Sequence, residues 1–192
     1  MELIRAAAAA GQKDFGENRV QEALQKIAGS ADLSIRWHLI GPLQSNKARK
    51  AAEHFAAIHS VDSVSLLHRL DAAAAAAGTH PELFVQVDLA GKPTKHGAPP
   101  SAVPAICQAA RDCRAAQVVG LMVLPPWFDD PEAARTYFQQ LRQLRDRLRE
   151  SGVPGEMLRE LSMGMSHDFE VAVQEGATMV RIGTAIFGKR TV

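Results

Sequence analysis

Two short segments near the carboxyl end of the chain carry the residues best suited to bind an anion. Ser166 follows the apolar segment 161–165, and Gly183 and Thr184 follow the apolar segment 179–182. Small residues of this kind begin helices, and the first turn of a helix offers unpaired backbone N–H groups and a partial positive charge. Two such helix starts side by side predict a phosphate-binding site that needs no lysine. We also expect Ser166 to cap a helix over 167–175.

Three other polar residues fall inside predicted strands or at their ends. Arg181 lies within the strand 179–182, on the same face as Gly183 by the two-residue alternation of strands. A charge in a buried strand is costly unless it is paired, so Arg181 either binds a structural carboxylate or donates to a bound heterocycle. Asn18 and His38 lie near the carboxyl ends of two earlier strands, where barrel enzymes place their working groups. His38 could equally be a satisfied core residue.

The elements that would position these residues alternate between helix and strand along the whole chain. Such alternation is typical of βαβ units and a parallel sheet. The predicted strands are 14–16, 36–40, 57–61, 83–89, 118–124, 160–163 and 179–182. The two anion-binding loops after the last two strands favour a TIM-type (β/α)8 barrel over a doubly wound open sheet.

Seven strands do not close an eight-stranded barrel, and the sequence opens inside a predicted helix over 2–10. We therefore predict a single incomplete barrel domain over residues 1–192 that lacks the first strand and the helix preceding it. The longest loop, 91–100, follows a strand and is expected to be mobile and able to cover the site. A helix is predicted over 101–116.

The bulk composition excludes several classes of partner. The 22 Lys and Arg nearly balance the 21 Asp and Glu, and the net charge of +1 gives no electrostatic case for nucleic acid or an anionic membrane. The apolar runs fall well short of the about 20 residues that a membrane span needs. The seven histidines and two cysteines show no metal-ligand spacing, so no metal is expected. The cysteines indicate a reduced, cytoplasmic protein.

Several motifs together resemble the pyridoxal-phosphate homeostasis proteins. The matching stretches are FGENRVQE at 15–22, WHLIGPLQSNK at 37–47, GLM at 120–122, LSMGMS at 161–166 and VRIGTAIFG at 180–188. They span almost the whole chain, and the second and the last are highly specific. The resemblance implies the barrel of an alanine racemase without its second domain.

The same resemblance implies the roles of the site residues. Ser166, Gly183 and Thr184 would hold the phosphate of pyridoxal 5′-phosphate (PLP), and Arg181 would face the pyridine nitrogen. Asn18 and His38 would lie near the ring. The resemblance therefore implies a PLP carrier or buffer that can pass the cofactor to PLP-dependent apoenzymes and is a monomer or weak homodimer.

One departure from the family concerns its Schiff-base lysine, which the family carries on a first strand ahead of the segment ELIR at 2–5. None of the lysines matches that position; they are Lys13, Lys26, Lys47, Lys50, Lys92, Lys95 and Lys189. Binding of PLP to these residues would be non-covalent at most, and no catalytic residue is assigned.

Two other functions fit part of the pattern. A PLP-dependent racemase needs a lysine and an opposing base, and the only tyrosine, Tyr137, lies in a long helix away from the strand ends. A sugar-phosphate enzyme would use the phosphate loops but would leave the placement of Arg181 unexplained. Turnover of alanine would indicate the racemase, and preference for a triose or pentose phosphate the sugar-phosphate enzyme.

Overall fold

Seven parallel strands in sequential order form a nearly closed barrel with helices outside it, which confirms the predicted TIM-type α/β fold. The computed structural model describes residues 1–91 and 96–188. The strands are β1 (Asp14–Glu17), β2 (Arg36–Leu39), β3 (Ala57–Val61), β4 (Glu82–Val87), β5 (Gln117–Val123), β6 (Glu160–Met165) and β7 (Met179–Arg181). Each strand pairs with the next. Among the described residues, no ladder joins β7 to β1.

Helices alternate with the strands, as the hydrophobic periodicity predicts. They are α1 (Glu2–Ala9), α2 (Val20–Gly29), α3 (Ala48–His54), α4 (Val64–Ala77), α5 (Val103–Ala110), α6 (Arg135–Glu150), α7 (Phe169–Gln174) and α8 (Thr184–Phe187). The longest, α6, buries the stripe Phe138, Leu141, Leu144 and Leu148 against the barrel. Its amino end follows a 3-10 turn in which Asp130 accepts a hydrogen bond from the Glu132 backbone N–H.

The core has two layers because each strand is covered on both faces. The larger layer lies between the sheet and the helices and contains residues such as Leu39, Ile58 and Leu121. The smaller layer, inside the barrel, contains Ala57, Phe84, Val119 and Met122. Polar groups also reach this interior: the ring of His59 stacks on that of Phe84, with centroids 4.1 Å apart.

The segment between α5 and β5 departs from the predicted helix over 101–116. The helix ends at Ala110, and the following residues wrap around the carboxylate of Asp71 on α4. One oxygen of Asp71 accepts the backbone N–H groups of Arg114, Ala115 and Ala116, with donor–acceptor distances of 3.0, 2.8 and 2.9 Å. The carboxylate of Asp71, which is distant in the sequence, thus takes the place of the carbonyl acceptors that a continued helix would provide to these residues.

Replacing Asp71 with alanine is expected to lower the free energy of unfolding by about 2 kcal/mol, since three backbone donors lose a charged acceptor. Partial burial raises the pKa of Asp71, but the three backbone hydrogen bonds together outweigh it and the pKa lies below its ordinary value. The contribution of Asp71 is therefore complete above its unfolded-state pKa and is lost as the pH falls through the lower folded-state pKa. Urea unfolding against pH measures both effects. The exposed Asp112, replaced in the same way, should change the free energy of unfolding by less than about 0.5 kcal/mol.

The loop after β4 was predicted as a lid over 91–100. Residues 92–95 lie outside the described residues. Beyond them, the chain returns to the barrel: the Ala98 backbone N–H donates to Gln86 O at 2.8 Å, and Asp88 N–H donates to Ala98 O at 2.9 Å. The Gln86 side chain donates to the carbonyl of His96. The carboxyl end of this loop is thus held against β4.

Candidate functional site

The predicted phosphate-binding residues meet at the carboxyl ends of β6 and β7. The hydroxyl oxygen of Ser166 accepts the backbone N–H of Gly183 at 2.9 Å and that of Ala185 at 3.4 Å. Thr184 is the first residue of α8 and is exposed, and Gly183 is its N-cap. The structure therefore brings the two loops into direct contact, with a hydroxyl and two backbone N–H groups at one point.

Ser166 does not cap α7, contrary to the sequence prediction. The helix begins at Phe169, and its N-cap position is Asp168. The carboxylate of Asp168 turns back and accepts the backbone N–H of Met165 at 2.6 Å. Because Asp168 closes this turn, the Ser166 hydroxyl is free to reach across to the loop that follows β7.

Open space lies beside this point of contact. A Cβ atom built on Gly183 would meet no atom of the described residues within 4 Å, and the φ of Gly183 is −119°. Gly164, two residues before Ser166, has the opposite surroundings: its φ is +93°, and an added Cβ would lie 2.6 Å from the Ala172 side chain. Gly164 therefore lets α7 pack onto β6 and sets the position of the Ser166 loop.

Arg181 extends from β7 across the carboxyl end of the barrel. One terminal nitrogen donates to Ser162 Oγ at 2.7 Å and the other to the carbonyl of Val123 at 2.9 Å. Burial lowers the pKa of Arg181 to about 10, against an opposing effect of the Asp168 carboxylate. The guanidinium thus stays charged near neutral pH. Its five N–H groups include two with partners in the described part of the chain, so others can donate to a ligand.

His38 lies deeper than its predicted place near a ligand. It is 3% exposed, and both of its ring nitrogens are engaged: Nε2 with Asp14 Oδ1 and Nδ1 with His59 Nε2, each at 3.1 Å. Burial lowers the pKa of His38, although the Asp14 carboxylate opposes this shift. His38 is therefore neutral near pH 7. Because it is buried and both of its ring nitrogens have partners, it has almost no contact with solvent.

Asn18 follows β1 and is exposed at the same end of the barrel as Arg181. Its backbone is held by a close approach of the loop after β2. A Cβ on Gly41 would lie 2.7 Å from Asn18 Cα and closer still to the Asn18 carbonyl oxygen. Glycine in the sequence WHLIG thus allows these two loops to pack together.

Sequence reasoning missed three residues that connect to the site: Asp14, His59 and Ser162. His59 and Ser162 are fully buried on β3 and β6, and the His59 Nδ1–Ser162 Oγ distance is 2.9 Å. The available signal was a polar residue within an apolar strand. That signal does not say which polar residues meet, because 103 positions separate these two in the chain.

A small recess adjoins the Ser166 loop. Its volume is about 130 Å³, and its walls include Pro125, Trp127, Phe128, Met165 and His167. Trp127 is 69% exposed and stacks on His167 with ring centroids 4.6 Å apart. The recess is smaller than the about 300 Å³ typical of small-molecule sites, so it borders the candidate site rather than forming it.

Two absences hold for the described ranges, residues 1–91 and 96–188. In them no group of three or more His, Cys, Asp or Glu side chains is arranged to hold a metal ion. None of the helices in the same ranges has the length and apolar character needed to cross a bilayer.

The fold and the position of these residues define a β/α barrel with its candidate ligand site at the carboxyl ends of the strands. Residues 1–191 match the family described as alanine racemase, N-terminal domain. The pyridoxal phosphate homeostasis protein of Aquifex aeolicus is 43% identical over 190 residues, which cover 98% of this chain and 82% of that protein. That of Pseudomonas aeruginosa is 44% identical over 187 residues, which cover 97% and 79%.

Solved structures agree with these sequence relationships. PipY of Synechococcus elongatus, solved with PLP bound, superimposes with a TM-score of 0.89 at 47% identity and covers 96% of this chain and 86% of that one. An alanine racemase of Clostridium difficile has a TM-score of 0.75 at 16% identity, which supports the fold alone. The chain belongs to the alanine racemase N-terminal domain family and, within it, to the pyridoxal phosphate homeostasis proteins, as its motifs predicted.

Proposed function

We propose that this chain binds PLP and serves in PLP homeostasis as a carrier or buffer of the cofactor. The observation that carries the proposal is the meeting of Ser166, Gly183 and Ala185 at one point, with the charged Arg181 on the adjoining strand. Membership of the homeostasis proteins and the PLP bound to PipY support it. We also propose that residues 1–192 form a single barrel domain.

The donor set fits the two ends of PLP. A phosphate dianion needs several N–H or O–H donors and no neighbouring unpaired carboxylate. The backbone N–H groups of Gly183 and Ala185 and the hydroxyls of Ser166 and Thr184 supply such donors beside open space. In this proposal a phosphate takes the place of the Ser166 oxygen as the acceptor of the two backbone N–H groups.

The ring end is assigned to the other predicted residues. Arg181 would donate to the pyridine nitrogen, and the exposed Asn18 would lie near the ring. His38 would act through its neighbours, because both of its nitrogens already have partners. When bound, PLP supplies an aldehyde that reacts with amines; in this proposal the residues of the chain bind and orient the cofactor.

We propose that the chain does not turn over amino acids. Tyr137 lies on α6, outside the barrel, with its ring 5.9 Å from that of Phe128. The described lysines, Lys13, Lys26, Lys47 and Lys50, lie outside the seven strands, whereas Lys92, Lys95 and Lys189 fall outside the described residues. PLP held without a covalent bond can exchange, which suits transfer to cytoplasmic apoenzymes by a monomer or weak homodimer.

Replacing Gly183 with alanine is the sharpest test of the phosphate assignment. The added Cβ has room, so the melting temperature should stay within about 2 °C of the parent chain. The same Cβ would stand beside the backbone N–H groups that face the phosphate, so the affinity for PLP should fall about tenfold. Equilibrium dialysis of PLP against both chains measures the difference.

Ligands that differ in one group identify what the site recognises. Pyridoxal, which lacks the phosphate, should bind both chains weakly and equally. Ribose 5-phosphate competing better than PLP would indicate a sugar-phosphate enzyme, and formation of D-alanine from L-alanine would indicate a racemase. If the Gly183→Ala variant binds PLP with unchanged affinity, the assignment of the phosphate to this loop is wrong.

A further inference from the structure

A continuous chain of hydrogen bonds crosses the barrel interior and begins at Arg181. It passes from Arg181 to Ser162 Oγ at 2.7 Å, to His59 Nδ1 at 2.9 Å, from His59 Nε2 to His38 Nδ1 at 3.1 Å, and from His38 Nε2 to Asp14 Oδ1 at 3.1 Å. The five residues lie on five different strands, β7, β6, β3, β2 and β1.

The chemistry of its two ends fixes the direction of the whole chain. A guanidinium can only donate, so one lone pair of Ser162 Oγ accepts from Arg181. With both rings neutral, the hydroxyl hydrogen of Ser162 is donated to His59 Nδ1. A carboxylate can only accept, so His38 donates from Nε2 to Asp14. His59 then carries its hydrogen on Nε2 and donates to His38 Nδ1. Both imidazoles are therefore neutral Nε2–H tautomers, and every bond in the chain donates toward Asp14.

The surroundings of the two histidines favour this neutral arrangement. Burial, followed by the positive charges of His38 when protonated and of Arg181, holds the pKa of His59 well below its ordinary value. His59 also stacks on Phe84, with ring centroids 4.1 Å apart and planes at 12°. Around His38, Asp14 and Glu82 oppose the effects of burial and of Arg36. A second proton on His38, at Nδ1, would face the Nε2–H of His59, and a second proton on His59, at Nδ1, would face the hydroxyl hydrogen of Ser162.

This series of hydrogen bonds also restrains the side chain of Arg181, which would otherwise be flexible. Arginine loses considerable rotamer freedom when it is fixed, and this loss weakens ligand binding unless the side chain is already fixed in the free protein. Ser162 is fully buried within β6 and cannot move aside, and its hydroxyl is itself directed by His59. Arg181 is therefore held in one orientation before any ligand arrives.

We propose that Ser162, His59 and His38 are positioning residues for Arg181, and that the carboxylate of Asp14 anchors them from the opposite end of the barrel. Asp14 is the first residue of β1, whereas Arg181 is the last residue of β7, so the two lie at opposite ends of the parallel strands. The proposal rests on the proposed function in taking PLP as the ligand of Arg181. The ligand-free arrangement can be tested separately.

The first experiment determines the histidine tautomers by 15N NMR of the ligand-free chain at pH 7. His38 and His59 are identified by the signals lost in His38→Gln and His59→Gln. Both should carry hydrogen on Nε2 and none on Nδ1. Hydrogen on Nδ1 of either ring would contradict the proposed direction of these hydrogen bonds, whatever the ligand.

The second experiment compares two buried serines in PLP binding. Ser162→Ala removes one of the two acceptors of Arg181 and should weaken PLP binding about tenfold. Ser30→Ala is the matched control: Ser30 is 2% exposed and also makes side-chain hydrogen bonds, with Lys26 O and Trp37 Nε1, but lies between α2 and β2 outside the barrel. It should lower the melting temperature and leave PLP affinity unchanged.

The outcomes separate this inference from the function on which it rests. If the parent protein fails to bind PLP, the proposed function is wrong. The histidine tautomers still show whether the hydrogen bonds from Arg181 to Asp14 run in the proposed direction. If the parent binds and Ser162→Ala binds as well as Ser30→Ala, the positioning role is wrong. Should Ser162→Ala not fold, the exposed Asp14→Ala replaces it: PLP affinity should fall about threefold, with an Nδ1–H tautomer of His38 appearing.

Discussion

Replacing Arg181 with methionine is expected to lower the affinity of the chain for PLP by about a hundredfold and to leave the fold intact. The affinity falls because the ring loses a charged donor, and such hydrogen bonds contribute about twice as much as neutral ones. The fold is expected to persist because burial already opposes the charge of Arg181 and lowers its pKa to about 10. A methionine of similar length should keep the free energy of unfolding within about 1.5 kcal/mol.

Equilibrium dialysis gives the affinity, and urea unfolding gives the stability. Arg181→Lys is the control that keeps the positive charge. A single ammonium cannot reproduce the planar fork that reaches both Ser162 and Val123, so this variant should lose about tenfold and lie between the other two. If the methionine variant binds PLP as tightly as the parent chain, Arg181 does not contact the cofactor.

The fold could be predicted from the sequence because its signals are local. Apolar runs such as Leu83–Val87 lie in strands covered on both faces, and the periodic stripe Phe138, Leu141 and Leu144 marks the long helix. The end of α5 could not be predicted this way. Residues 111–116 look helical in the sequence, but Asp71, more than forty positions earlier, accepts the backbone N–H groups of Arg114, Ala115 and Ala116.

The candidate site shows the same division. The sequence placed Ser166, Gly183 and Arg181 after or within the last two strands, and they lie there. The prediction that Ser166 caps α7 was wrong. Whether the Ser166 hydroxyl caps α7 or reaches Gly183 depends on how Asp168 closes the turn between them. The chain through His59 depends on which side chains share the barrel interior, and this follows only from the register of five strands.

Replacing Gly41 with alanine is expected to lower the free energy of unfolding by about 3 kcal/mol, the upper end of the range for overpacking. The reason is that the added Cβ would meet backbone, which cannot rotate away: Asn18 Cα lies 2.7 Å from its position and the Asn18 carbonyl oxygen still nearer. The loops after β1 and β2 would have to separate. Urea unfolding of the variant beside the parent chain measures the loss.

Gly155→Ala is the matched control for this substitution, because its Cβ would meet no atom of the described residues within 4 Å. It should change stability by less than about 0.5 kcal/mol. Equal unfolding midpoints for the two variants would contradict the close approach of the loops. The folded fraction of Gly41→Ala should also bind PLP more weakly than Gly155→Ala, since separating the loops displaces Asn18 from the end of the barrel where Arg181 lies.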